Sequence, residues 1–486
     1  MLTLALALLV LGAIGLVLAA VRRVWPAAMP WRRILLVELL VLAAWTVGGN
    51  VLATLREGRA ERAWMALDPN AAAPAPTAGS GPNAAALELV KLASGMGIHV
   101  GRDADAAAAA SEPALQAAMA TLGSVADGAF RQADDRLTPA TAELRAWLVL
   151  QDEKLRAVQK HLLDGGPIDW GAPREDDRLS YSSLEILKLN AALVASALDR
   201  MRTGDPGGAS TALEAASRLA ASLRDRPDTV SRMWALAQDR RLLGALRVLD
   251  PVPAGFERPL DEIEQHTRPL GAHSRESLEL MAEARKPYTT LRGLILERDT
   301  ESMLLEHRRP LLPRLWLTLS GGLVSVEGWG DALAAERRRT TTPFYRFVQG
   351  PLEKPGIRLL VADHVAVQAR EAAAAKGADP CRDLPGATPA AVPGSPDEGS
   401  FVASLARRTA VTRVELELTR VVQRARFLRA LSPKREWPAE LGSVDSRVCT
   451  GRRFVARFEG DAAEVRLEPN PFGEKEATVS FRMTGR

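Results

Sequence analysis

Cysteine is almost missing from this chain, with two residues in 486, Cys381 and Cys449, both in the C-terminal quarter. That scarcity excludes a cysteine-rich disulfide scaffold and a four-cysteine zinc site. Histidine is scarce as well: His99, His161, His266, His273, His307 and His364 are scattered, with no His-Glu-x-x-His pair and no Cys-x-x-Cys. No metal or other cofactor is therefore expected. His266 and His273, the closest pair, lie in a Pro/Gly-interrupted stretch and read as surface residues. No Gly-x-Ser-x-Gly elbow or Gly-Lys-Ser/Thr loop occurs, and the glycines from Gly95 to Gly101 have the wrong spacing for a phosphate loop. Glu175-Asp176-Asp177 lacks the alternating ligands of a calcium loop and reads as a solvated turn. The chemistry favours a protein that is not an enzyme. Aromatics make up only 5 % of the chain, and the net charge is +4 with basic and acidic residues interleaved. Without a basic stripe supported by aromatics, no nucleic-acid partner is expected.

What the chain has in quantity is apolar sequence at its start. Leu2 to Val21 and Ile34 to Leu55 are two long apolar runs joined by an Arg-rich hinge. About 20 residues at a rise of about 1.5 Å span a bilayer core of about 30 Å, so the pair reads as a transmembrane hairpin over residues 1–55. Arg22, Arg23, Arg32 and Arg33 bracket the hinge, with Trp25 and Trp31 beside them. Arginines mark the cytoplasmic side and Trp the head-group level, which puts the remainder of the chain outside. Arg56, Arg59 and Arg62 follow the second run and pull the other way. The expected location is the bacterial inner membrane with a periplasmic body. Glu38 sits inside the second run, where a carboxylate is costly; it either pairs with Arg32 or Arg33 at the interface or meets a partner span. Cys381 and Cys449 are either two unrelated thiols or one disulfide fitting an oxidising compartment, where closing a loop of about 70 residues stabilises by roughly 4 kcal/mol in the chain-entropy model.

Residues 56–86 read as a juxtamembrane segment and flexible linker, Pro/Ala/Gly-rich from Asp68 onwards. A helical body is expected over 87–375. Within it, Ala140 to Leu163 carries apolar residues at helical spacing. Ser182 and Glu185 make a capping-box pattern ahead of Leu184, Leu187, Ala191, Val194, Leu198 and Met201, which step by three and four. A turn at Thr203-Gly204-Asp205-Pro206 precedes a second helix with Ala209, Ala212, Leu213, Ala216 and Leu219 on one side, and a third helix runs to Leu249. Leu315 to Val326 is apolar but too short to span, and reads as a buried element.

The run of Gly204-Asp205, Ala209, Leu213, Ala216 and Pro227 resembles the second half of a tetratricopeptide repeat, over roughly 40 residues. That family's first-helix aromatic and glycine pattern is absent here. The resemblance implies stacked helical hairpins and a protein-binding surface; a plain helical bundle is the other arrangement open to these residues. The whole layout, with a short anchor, Ala-rich hairpins, the Ser222-Leu223-Arg224-Asp225-Arg226-Pro227 run and a late Trp437-Pro438-Ala439-Glu440-Leu441 segment, resembles uncharacterised membrane-anchored bacterial proteins.

Residues 376–400 form a second Pro/Gly-rich linker, and 401–486 a C-terminal α+β unit. Phe401 to Leu431 reads as a long helix, basic through Arg407, Arg408, Arg413, Arg420, Arg424, Arg426 and Arg429. Its basic side is either a solvated face or a site for lipid head groups or an acidic protein. Alternation then gives about three antiparallel strands near residues 454–458, 465–467 and 478–483. The fold class is thus mainly α: two N-terminal transmembrane helices, a solenoid-like or bundled hairpin body, and a small C-terminal α+β unit.

The expected function is an envelope scaffold or assembly factor that binds other proteins, with Leu184, Leu187, Ala191, Arg413, Arg420 and Arg424 as candidate contacts. Two other classes stand beside it: a periplasmic hydrolase or carbohydrate-active enzyme with dispersed residues, and a sensory ectodomain signalling through Glu38. The oligomeric state is open.

Overall fold

A computed structural model describes residues 31–69, 81–101, 118, 121–122, 125, 133–136, 140–171, 181–224, 226, 229–250, 256–267, 271–286, 342, 350–377, 381, 401–434, 436–438, 442–471 and 479–484. The described chain is mainly helical, with eleven helices and a four-stranded antiparallel sheet near the C-terminus. The first apolar run, the segment Leu315 to Val326 and the acidic turn Glu175 to Asp177 lie outside the described residues. Among the described residues, no helix is long and apolar enough to cross a membrane.

The chain forms two compact units woven from separated stretches. The first takes in Met1–Ala73, His273–Ala374 and Thr388–Val402. Its described helices are α1 (Trp31–Leu67), the bulk of α9 (Gly271–Arg285) and most of α10 (Gly350–Gly377). With 37 residues, α1 is about 55 Å long at 1.5 Å per residue. It carries the second apolar run and continues without a break through Arg56, Arg59 and Arg62 to Leu67. The stretch after Leu55 is a packed helix as far as Leu67: Ala53, Glu57, Ala60 and Trp64 step by three and four along one buried face. Leu36, Leu40, Val47, Val51 and Leu55 occupy the other side and are exposed. At Gly49 the absent side chain matters, because a Cβ there would stand 2.7 Å from the Cβ of Pro355 on α10. Ser277 donates to Gln368 Oε1 at 2.9 Å and ties α9 to α10.

The second unit comprises Pro74–Ala272, Ala375–Ala387 and Ala403–Arg486. The C-terminal helix and sheet thus share one unit with the hairpins of residues 74–272, where the linear pattern divided them. Seven helices come first: α2 (Ala84–Ser94), α3 (Ala142–Leu150), α4 (Asp152–Asp164), α5 (Ser183–Arg202), α6 (Pro206–Arg224), α7 (Thr229–Val248) and α8 (Glu257–His266). Asn83 caps α2 by accepting from Ala86 N at 2.8 Å, so the helix starts within what reads as linker. The single helix expected from Ala140 to Leu163 is two, parted at Gln151, whose φ of −99° and ψ of 5° leave the helical region without any proline or glycine to announce it. Ser182 Oγ accepts from Glu185 N at 3.4 Å, but the Glu185 carboxylate does not return to the cap. It accepts from His99 N at 3.2 Å and from Lys188 instead, giving half a capping box.

Helices α5, α6 and α7 form the centre of this unit. Gly204 takes φ +81° in the turn between α5 and α6, a conformation cheap only for glycine. From Leu189 to Leu198 every residue of α5 is buried, so the helix is enclosed on all sides. The small residues Ala209, Ala212, Ala216 and Ala220 of α6 are also buried and permit close helix approach.

α11 (Phe401–Leu431) carries the sheet of β1 (Ser443–Asp445), β2 (Arg453–Glu459), β3 (Ala462–Glu468) and β4 (Ser480–Met483), in the spatial order β1-β2-β3-β4. The alternation from Phe454 onward showed three strands; the three-residue β1 is too short to leave a period-two signature. Pairs Phe454↔Leu467 and Val465↔Phe481 put large apolar residues on one face. With Val411, Val414, Leu418, Val422 and Ala425 of α11 they make a second core, which Cys381 and Cys449 join. A disulfide links those two cysteines, 68 positions apart. The last strand is held by Asp135, which accepts from Thr484 N at 2.8 Å and from its hydroxyl at 2.9 Å.

Candidate protein-binding surface

The second unit presents an open groove of about 420 Å³, lined by Arg156, Gln159, Lys160, Leu163 and Asp164 of α4, by Arg200 of α5, and by Asp205, Gly208 and Thr211 at the start of α6. Arg156, Lys160, Leu163 and Asp164 recur at three- and four-residue steps on the outward side of α4, whose other side buries Leu155, Val158, Gln159 and Leu162. Arg200 fixes the groove's floor. It donates to Asp205 Oδ2 at 2.9 Å and to Asp152 Oδ1 at 2.7 Å, while Asp205 Oδ1 accepts from Gly208 N at 2.8 Å. That backbone hydrogen bond, helped by Arg200, holds the Asp205 carboxyl below the usual carboxylate range. A Cβ on Gly208 would strike Asp205 Oδ2 at 2.1 Å and Arg200 Nη1 at 2.2 Å, so glycine leaves the room in which the pair meets. Gln159 is 3 % exposed, and its Nε2 has no hydrogen-bond partner among the described residues. An unpaired buried amide costs about 1–3 kcal/mol unless a ligand or water completes it.

Inside the unit, charge is neutralised by charge. Asp239, fully enclosed, takes Arg224 Nε on both oxygens at 3.1 and 3.2 Å; burial pushes its carboxyl up against the pull of that arginine. Arg240 holds Glu415 at 3.0 and 2.8 Å, and Arg247 donates to Thr419 Oγ1 at 3.0 Å and to Glu415 O at 3.3 Å, joining α7 to α11. Burial lowers Arg247 to about 10. His266 differs from its surface expectation: Nε2 is enclosed and has no hydrogen-bond partner among the described residues, and burial, with Arg232 and Arg224 nearby, lowers its pKa to about 3. Among the described residues, no group of His, Cys, Asp and Glu could hold a metal ion.

The residues singled out by sequence separate between two helices. Leu184 is 60 % exposed, Leu187 is half-buried, and Ala191 is buried inside the bundle with no surface to offer. The stripe that packs begins one position off, with Ile186, Leu189 and Leu193. Arg413, Arg420 and Arg424 share the outer face of α11, but Arg420 is engaged by Glu264 Oε2 at 2.5 Å and Asp261 Oδ1 at 2.7 Å of α8. Arg426, counted with the basic face, points inward and donates to Leu249 O at 2.5 Å. Arg413 is half-buried and Arg424 exposed. The side chain of Glu38 lies outside the described residues. No family model, curated protein or solved structure matches this chain.

The groove residues were missed because Arg156, Lys160 and Asp164 look like any solvated helix face. The signal that could have marked them is Gln159, a polar residue inside the run of positions that α4 buries.

Proposed function

We propose that this protein is a membrane-anchored scaffold or assembly factor of a bacterial envelope, whose helical body binds other proteins on its outer side. The observation that carries it is α1: one helix holds an exposed row of Leu36, Leu40, Val47, Val51 and Leu55 and, on its opposite face, the buried Ala53, Glu57, Ala60 and Trp64. Lipid is the natural cover for that row, and by its sequence the first apolar run is long enough for a second span. Anchor and first unit would then be a single mechanical piece. The buried disulfide fits an oxidising periplasm, in line with the Arg-rich hinge facing inward. The α5–α6 hairpin, with its Gly204 turn and small crossing residues, fits a tetratricopeptide-like layout, and the groove beside α4 is where a partner's extended segment would lie.

Two measurements test this. Periplasm-specific reporters fused after Trp64 should be active and cytosol-specific ones silent. Crosslinking and mass spectrometry on the full chain in membranes should place partner peptides on α4 and the start of α6. Activity of cytosolic reporters alone would overturn the topology, and crosslinks that avoid the groove would overturn the binding surface.

A further inference from the structure

The outer face of α11 changes character at its C-terminal end. Arg413, Glu417, Arg420 and Arg424 fall on one stripe by helical spacing, and the same stripe ends in Phe427 and Leu431, which are 63 % and 64 % exposed. Two large apolar side chains one turn apart, in the open, are unusual beside a core that encloses Val421, Val422 and Ala425. Their surroundings are cationic. Arg424 is exposed one turn before Phe427, and Lys434 is exposed in the turn that follows the helix. The guanidinium of Arg429 lies 4.4 Å from the ring centre of Trp437, whose indole N–H donates to Asp461 O at 2.9 Å and holds the ring beside the helix end. The acids of α11 do not offset this charge: Glu415 is spent on Arg240, and Glu417 accepts from Ser446 Oγ at 2.6 Å and Arg447 N at 2.7 Å. Among the described residues from 424 to 438, Glu436 is the one acid.

We propose that this end of α11 rests on the surface of an anionic bilayer. Phe427 and Leu431 enter the boundary between head groups and acyl chains, Trp437 lies at head-group level, and Arg424 and Lys434 meet lipid phosphates. Exposed aromatic and leucine side chains rimmed by cations are the composition of an interfacial contact. An acidic protein partner would use the cations and leave Phe427 and Leu431 without a complementary pocket. The inference rests on the membrane-anchor proposal, since a two-residue wedge binds weakly alone and gains its occupancy from tethering.

The test uses the full chain in lipid nanodiscs of phosphatidylcholine, with and without phosphatidylglycerol. Because both native cysteines are bridged, F427C or L431C gives one labelling site for a bimane probe, and brominated acyl chains report its depth. Quenching should be roughly threefold stronger in the discs that contain phosphatidylglycerol, and should fall to the phosphatidylcholine level in the R424E/K434E background, as expected for charge-assisted docking. A probe at L184C should be quenched in neither. Equal quenching in both lipids, absent quenching at both 427 and 431, or no effect of the charge reversal overturns the docking while leaving the anchor intact. A chain that fails to enter nanodiscs at all overturns the anchor and the docking with it.

Discussion

Arg358 on α10 donates through Nε to Glu57 Oε1 at 2.8 Å and through Nη2 to Glu57 Oε2 at 2.7 Å, a forked grip on a carboxylate that is 1 % exposed. The same guanidinium reaches Asn50 Oδ1 and Thr54 Oγ1 at 2.9 Å each, respectively two turns and one turn back along α1, while Arg285 of α9 adds a third bond to Glu57 at 3.0 Å. Three helices thus converge on one acid just beyond the apolar run. Burial works to raise the Glu57 carboxyl, but the hydrogen bonds and charges of Arg358 and Arg285 outweigh it and hold it below its ordinary range.

Arg358→Met is expected to destabilise the first unit by about 3–5 kcal/mol, because it leaves a buried charge with half its compensation. Pairing it with Glu57→Gln in a double-mutant cycle should recover much of that loss. Because the folded pKa of Glu57 is depressed, its contribution is full above the ordinary carboxylate range and disappears as pH falls through the folded value. Denaturant melts of the single and double variants from neutral to acid pH check both points. Additive losses, or a Glu57→Gln variant with an unchanged acid limb, would show that the convergence contributes little.

His266 acts in the same direction over a window that opens at higher pH. Its folded pKa of about 3 lies well below the ordinary 6.5, so the unfolded chain takes up a proton first as pH drops. Stability of the second unit should therefore decline from about pH 6.5 towards pH 3, by an amount on the order of a few kcal/mol for a shift of this size. His266→Gln should flatten the decline. Chemical denaturation of both forms across that range measures it, and parallel curves would mean that His266 takes up its proton equally in the folded and unfolded chain.

The bridge from Cys381 to Cys449 ties one residue of the 376–400 stretch to the turn between β1 and β2, where Arg452 Nη2 also donates to Cys381 O at 2.9 Å. Both sulfurs belong to buried residues of the core under the sheet. Cys381→Ser should lower stability by up to about 4 kcal/mol on the chain-entropy estimate for a loop of this length. Maleimide labelling of protein denatured without reductant should find no thiol in the wild type. Two labelled cysteines would remove both the predicted loss and the support that the bridge lends to a periplasmic site.

Much of the fold was readable because helical spacing and turn chemistry agree locally. The bounds of α11 follow from its stripe of Val411, Val414, Leu418 and Val421, and the α5–α6 turn from Gly204-Asp205-Pro206. What escaped was decided at a distance. α5 is enclosed by neighbours on every side, so a one-sided stripe chose Ala191 as a contact and passed over Ile186. Gln151 breaks a helix that no local signal interrupts, and Arg420 and Arg426 looked alike until α8 and Leu249 came to meet them. The weaving of two units from alternating segments leaves no trace in composition, since each segment carries an ordinary amphipathic pattern.

Gln159 separates stability from binding. Its enclosed Nε2 lacks a partner among the described residues, and Leu is close in volume, so Gln159→Leu should raise the stability of the isolated protein by about 1 kcal/mol. If the groove takes a partner's backbone carbonyl at that amide, the same substitution should weaken binding, the usual exchange at a site kept ready for a ligand. R156E/K160E offers the complementary case. Arg156 pairs with Asp152 at 2.6 Å but is 65 % exposed, so its loss should change stability by less than about 1 kcal/mol while removing the cations that line the groove. Thermal melts and quantitative crosslinking in membranes, run on the same preparations, read both effects. Partner crosslinks should fall roughly tenfold in each variant, matching the 1.4 kcal/mol that one lost buried hydrogen bond represents. A Gln159→Leu protein that is more stable and equally well crosslinked would make the empty amide a packing defect and take the groove out of the binding surface.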